Sequence, residues 1–289
     1  MIAMDGDIGK FVYSLAELKD KAPQYFGVKT GTKLDNMFYT TEYDEISKRP
    51  IKNMLGGIPY LSVMNVVGIP DSGKSVLAEQ FAITQASLGY KVLMVTTENP
   101  ANFLYKNLVS RSYAMGIDFD EITDNFTVID TTRDDSLREN VRRLIGVMNY
   151  AIDKKKSTIC VIDSVTGLYE SREKEARQIV REIFNFMKEK KQTAMFVSQK
   201  RSSQESMTSE AAGGLGVAHI VDGTLVLDKK VIITKYDEMF YNIPVGSVMR
   251  TARIDGCRMA GHDIETYMMD ISEFGLIDIK DRMSRSVKR

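Results

Sequence analysis

From Leu61 onward the chain settles into a regular rhythm. Short unbroken apolar runs alternate with longer stretches in which apolar residues recur at every third or fourth position. The runs Ser62–Val67, Val92–Val95, Phe126–Ile129, Thr158–Ile162 and Ala194–Val197 read as strands. Between them, helices are predicted from Lys74 to about Leu88 and from Pro100 to Met115. Leu137, Val141, Leu144, Ile145, Met148 and Ile152 share one helical face, as do Ala176, Ile179, Val180, Ile183 and Met187. Strands without polar alternation are buried on both faces, so the expected architecture is α/β, a mainly parallel central sheet flanked by helices. After Gly223 the pattern becomes strand-rich, with Thr224–Leu227, Val231–Ile233, Val248–Ile254, Thr266–Asp270 and Leu276–Ile279. Tight turns between them predict an antiparallel C-terminal extension of the same sheet.

The residues before this rhythm are of mixed polarity. Residues 1–54 read as an arm or cap, residues 55–279 as the main domain and residues 280–289 as a basic tail. Ser14 followed by Glu17 has the form of a capping box and predicts a short helix running through Tyr25. Thr40–Asn53, polar and interrupted by Pro50, reads as a loop or insertion.

Composition excludes more than it proposes. Basic and acidic residues balance at 39 each, so the whole chain carries no polyanion-binding signal, although a local basic loop is compatible with a neutral chain. Hydrophobic residues make up 43% of the chain, yet no apolar run approaches the ~20 residues of a membrane helix. The N-terminus lacks a charged-then-apolar signal pattern, so a cytoplasmic chain without membrane insertion is expected. Cys160 and Cys257 have no partner at zinc spacing, and His219 and His262 have none at metal or triad spacing.

The chemistry concentrates after the first strand. Gly68-Ile69-Pro70-Asp71-Ser72-Gly73-Lys74-Ser75 fits the pattern G-x-x-x-x-G-K-[ST], between a predicted strand and a predicted helix. Its glycines let backbone amides converge on phosphate oxygens at a helix N-terminus. Lys74 would neutralise the β- and γ-phosphates, Ser75 would ligate Mg²⁺, and Val76 continues the nucleotide-binding run into the helix. Ile159–Ser164 is a buried strand ending in Asp163, where a carboxylate would hold Mg²⁺ through water. Glu98 follows the Val92–Val95 strand, either as the group that activates an attacking water or as an acid favoured at a helix start. Gln199 ends the fifth strand ahead of a long polar loop, Lys200–Ala218, and is suited to sensing a γ-phosphate.

Together these segments resemble the RecA-like P-loop ATPases, most closely the KaiC-type branch, from about Gly31 to Ile279. Leu55-Gly56-Gly57-Ile58-Pro59 is similar to that branch's lead-in to the phosphate loop, and Ile162-Asp163-Ser164-Val165-Thr166 to its Walker B segment. Its second-strand motif usually has two consecutive glutamates; here Thr97 takes the first place, and Glu98 alone carries the catalytic role. Arg253-Ile254-Asp255-Gly256 resembles a segment whose basic first and third residues reach the γ-phosphate in a neighbouring subunit. Arg253 keeps the first, Asp255 replaces the second, and Arg258 stands nearby. Ala218 and His219 stand where the clock protein's second ATPase domain phosphorylates itself, so no equivalent acceptor exists.

The resemblance implies ATP and Mg²⁺ bound between subunits of a ring-shaped homo-oligomer, hexameric in the family, with slow hydrolysis and a regulatory or signalling output through a protein partner. Two rivals keep the nucleotide site and change the output. One is a recombination mediator that grips single-stranded DNA through the 200–218 loop, which has few cations and no aromatic for stacking. The other is a nucleotide-switched scaffold that barely hydrolyses.

Overall fold

The computed structural model describes residues 12–200 and 217–283. In chain order its main elements are β1 (Gly27–Val28), β2 (Phe38–Asp44), β3 (Arg49–Met54), β4 (Ile58–Pro59), β5 (Val63–Gly68) and α1 (Lys74–Ser87). Next come β6 (Val92–Thr96), α2 (Ala101–Ala114), β7 (Phe126–Asp130), α3 (Val141–Lys155), β8 (Ile159–Asp163), α4 (Ala176–Glu189) and β9 (Thr193–Gln199). The described chain ends with β10 (Gly223–Val231), α5 (Lys235–Tyr241), β11 (Val248–Cys257), β12 (Gly261–His262), β13 (Tyr267–Ile271) and β14 (Ile277–Arg282).

A nine-stranded sheet in the order β14-β13-β11-β10-β5-β9-β8-β6-β7 organises the molecule. From β10 to β7 every neighbouring pair is parallel, and from β10 outward through β11, β13 and β14 the pairing is antiparallel. Alternate residues of each central strand feed two cores. Met64, Val66, Ile159 and Val161 pack towards α1 and α2. Val63, Val67, Cys160 and Ile162 pack towards α3 and α4. Those strands are apolar at nearly every position, with Asn65 of β5 a buried polar exception, because both faces are covered. Cys160 lies in the second core as a free thiol, and burial pushes its pKa up to about 12, which keeps it protonated.

Helix α1 is enclosed on all sides, with Leu77, Phe81 and Ile83 fully buried and even Glu79, Gln80 and Gln85 inside. Its buried glutamines are satisfied by backbone groups, and Glu79 by the Arg111 side chain. Gln85 Nε2 donates to the Lys29 carbonyl at 2.6 Å, and Gln80 Oε1 accepts from the Ile277 amide at 2.9 Å. The first phosphate-side helix is thus wedged between the sheet, the N-terminal segment and the last strand. Among the described residues no helix is long and apolar enough to cross a membrane.

Five expectations change. The capping box of Ser14 and Glu17 is present, but its helix stops after Leu15–Leu18 because none of its residues is buried. Thr40–Asn53 is a β-hairpin, β2 and β3 in register from Tyr39↔Met54 to Asp44↔Arg49. Residues 27–38, read as part of an arm, enter the main core through Val28, Leu34, Met37 and Phe38. Strand β14 runs three residues into the stretch read as a tail, because Ile277 and Ile279 alternate inward and carry the ladder on to Arg282. The separate strand expected at Val231–Ile233 is the end of β10 followed by α5.

Candidate functional site

The central parallel strands end on the same side of the sheet, and the chemistry gathers there. Strand β5 closes on Gly68, where an added Cβ would lie 2.2 Å from the Leu227 carbonyl of β10 and 2.5 Å from Ser72 Oγ. Only glycine lets β10 pass this close. The chain then turns through Ile69–Gly73, with positive φ at Asp71 (61°) and Gly73 (98°), and Gly73 caps α1. This turn exposes the unpaired amides of the first helical turn around a hollow, the arrangement that binds phosphate.

Lys74 folds over that hollow, and its Nζ donates to the Ile69 carbonyl at 2.8 Å. Burial lowers its pKa to about 8, partly offset by the fields of Asp163 and Glu98. Ser72 Oγ is buried in the same turn and finds no hydrogen-bond partner among the described residues. Ile69 is buried while Pro70 and Ser75 face outward and Val76 is half-buried.

Asp163 ends β8 close to the Ser75 side chain. Burial raises its pKa to about 6, with the Ser75 hydroxyl and Lys74 pulling the other way and Glu79 and Glu98 adding to the rise. A buried carboxylate and a hydroxyl close by make an all-oxygen set for a hard cation such as Mg²⁺, which takes few protein ligands and fills the rest with water and phosphate. The residues therefore fit both a phosphate chain and its cation.

Glu98 stands at the end of β6 and is held from two neighbouring strand ends. Ser164 Oγ donates to its Oε1 at 2.5 Å, and Gln199 Nε2 donates to the same oxygen at 2.9 Å. Thr97 is buried and clasps β8, donating to the Ser164 carbonyl and accepting from the Ser164 amide, both at 2.9 Å. The peptide between Asp163 and Ser164 is cis. A threonine here makes a strand-to-strand tie that a longer acid would not. Gln199 receives a further anchor through its amide, which donates to Thr166 Oγ1 at 3.0 Å.

The two arginines stand apart from this cradle in their own chain. Arg253 binds Asp255 Oδ1 through Nη2 at 3.1 Å, so the acid that replaces the second basic residue is its partner. Arg258 donates from its amide to the Asp222 carbonyl and from Nη2 to the His219 carbonyl, at the opposite end of β10 from Gly68. Of the 200–218 loop, residues 201–216 lie outside the described residues.

Sequence reasoning missed three contributors. Ser164 was noted only as part of a motif. Lys229 and Arg250 reach the phosphate loop through Asp71, from 158 and 179 residues away. No local pattern marks such contacts.

A mainly parallel sheet with this loop, Asp163 and Glu98 at its strand ends defines a RecA-like P-loop nucleotide-binding protein. The comparisons with known proteins agree. The description "ATPase: KaiC" matches residues 28–284, and the chain belongs to the KaiC ATPase family. It is 27% identical over 267 residues to a UPF0273 protein of Sulfurisphaera tokodaii, covering 86% of this chain and 83% of that one. It is 26% identical over 237 residues to a UPF0273 protein of Thermotoga maritima, covering 77% and 89%. Among solved structures, the KaiC-like protein PH0186 from Pyrococcus horikoshii OT3 superposes with a TM-score of 0.65 at 19% identity, covering 89% of this chain and all of that one. At that identity the likeness speaks for the fold.

Proposed function

We propose that this chain is a slow, Mg²⁺-dependent ATPase of the cytoplasm, working at the subunit interfaces of a ring-shaped homo-oligomer and passing its nucleotide state to a protein partner. One observation carries the reading: Glu98 is gripped by Ser164 and Gln199 at the strand ends beside the Lys74 and Ser75 cradle.

In this mechanism the amides of residues 68–75 and the Lys74 ammonium hold the triphosphate and offset the charge that develops on the γ-phosphoryl oxygens. Mg²⁺, when bound, supplies further charge neutralisation, and Ser75 and Asp163 are the residues that would hold it. Ser164 and Gln199 both donate to Oε1 of Glu98, which leaves Oε2 as the oxygen to act on the water. Glu98 takes the water's proton as its oxygen attacks phosphorus and the bond to the β–γ bridging oxygen breaks. Gln199, bonded to Glu98 and leading into the following loop, reports γ-phosphate loss to that loop.

The slow rate follows from the arginines. Arg253 is held by Asp255, so a neighbour's γ-phosphate must compete with a carboxylate two residues away. Much of the acceleration that an arginine finger supplies, ~10³-fold or more, is then left unused. The same pair favours the second reading, a nucleotide-switched scaffold with little turnover.

Phosphate release by the wild-type chain and by Glu98→Gln, alongside ATP affinity, tests the proposal. Glu98→Gln is expected to bind ATP normally and lose roughly 10²-fold or more in turnover. Equal turnover in both removes Glu98 from the chemistry, and tight binding without turnover in the wild type leaves the scaffold. Light scattering with and without ATP·Mg²⁺ reads the ring directly: a mass that stays at one chain in both conditions rules it out.

A further inference from the structure

Asp71 puts a carboxylate inside a loop built for a polyanion. Its φ is +61°, and its side chain remains 71% exposed. One oxygen, Oδ2, accepts from Lys229 Nζ at 2.9 Å and from Arg250 Nη2 at 3.4 Å. Lys229 and Arg250 face each other in register on β10 and β11. Lys229 lies two residues beyond Leu227, whose carbonyl abuts Gly68, so the pair flanks the mouth of the cradle.

The three partners are unequally placed. The side chains of Lys229 and Arg250 are only 26% and 20% exposed, whereas Asp71 stands in solvent. Two mostly buried cations need an anion, and a solvated carboxylate is a weak one to hold them. Arg250 Nε is buried without a hydrogen-bond partner among the described residues, so this guanidinium has a donor that Asp71 does not use. Phosphate oxygens take several such donors at once, with stronger charge-assisted bonds.

We infer that Lys229 and Arg250 are a triphosphate-binding pair supplied by the same subunit, and that Asp71 is an internal stand-in anion from which they are released when the terminal phosphates arrive. The inference rests on the nucleotide reading of the cradle and names a regulation of that site. Asp71 sets the affinity by competing with the ligand for two cations. Lys229 is close enough for its charge to bear on Lys74, the residue that faces the phosphates in the nucleotide reading.

Calorimetry with Mg²⁺ and either a β,γ-imido ATP analogue or ADP tests this on the full chain, with Asp71→Asn, Lys229→Gln, Arg250→Gln and their combinations. Asn tolerates the left-handed backbone at this position, so Asp71→Asn removes charge without strain. This competition predicts that Asp71→Asn tightens the ATP analogue by about two- to fivefold, the worth of an exposed ion pair. Lys229→Gln with Arg250→Gln weakens the analogue by about tenfold or more, and ADP by less. In that double background, Asp71→Asn changes affinity by less than about twofold, because the cations it restrains are gone. If Asp71 merely pins the loop, Asp71→Asn weakens binding. If it merely repels phosphate through space, it tightens binding equally in both backgrounds. Either result overturns the competition. Each single cation variant carries the same sign of effect, so a double variant that melts early leaves the test standing. A folded wild-type chain that binds neither nucleotide removes the nucleotide site itself. Wild-type binding without the predicted non-additivity removes the competition alone.

Discussion

Lys74 illustrates how one buried side chain can make a binding site sensitive to pH. Without ligand its ammonium sits against a carbonyl, and burial holds its pKa near 8. A triphosphate favours the charged form and raises that value. Binding therefore takes up a proton once the pH exceeds about 8, and affinity falls as pH rises through that value, by at most about tenfold per pH unit. Below that pH the lysine is charged in both states and contributes no slope. Calorimetry from pH 7 to 9.5 is expected to give a flat affinity followed by a decline, and Lys74→Ala, binding only weakly, should lose the decline. A wild-type affinity constant across this range would mean that the lysine is not the titrating contact. At this scale the sequence was generous with motif residues and silent on partners. Lys74, Ser75, Asp163 and Glu98 were named by spacing, but the Ser164 and Gln199 bonds to Glu98 depend on how three strand ends align. The Lys229 and Arg250 contacts with Asp71 depend on which strand lies beside β5.

At the scale of elements, legibility followed burial. The central strands announced themselves because two helical layers cover them and few polar positions interrupt the runs. The β2–β3 hairpin hid because, Phe38 aside, none of its strand residues is buried. Every residue of β3 is exposed, so no alternation between an inside and an outside was imposed on its sequence. Helix α5 hid for the same reason, with no residue buried. The exposure of the hairpin's tip has a measurable outcome. Replacing residues 43–50 by a two-residue turn removes only exposed or half-buried positions and leaves Phe38 in the core. The shortened chain is expected to keep its stability within about 0.5 kcal/mol, and its nucleotide affinity unchanged. A larger loss in thermal or denaturant melting would show that the hairpin supports the domain after all.

At the scale of the molecule, the α/β architecture and the antiparallel extension were legible, while the division into arm, domain and tail was not. Hydrophobic content before Leu61 is diluted by polar residues, and only the tertiary fold reveals that Leu34 and Phe38 fill a gap beside α1.

The last two strands have a consequence for anyone who would pare this chain down. Gly73, the glycine that starts α1, points at Ile277 and Ile271, and a Cβ there would come within 2.8 Å of the former. The floor under the phosphate hollow is thus laid by residues some two hundred positions downstream of it. A gene fragment stopped at Thr266 would encode every signature residue and still be expected to yield material that captures no nucleotide on an ATP resin. The shortest working version of this protein is set by its final ladder.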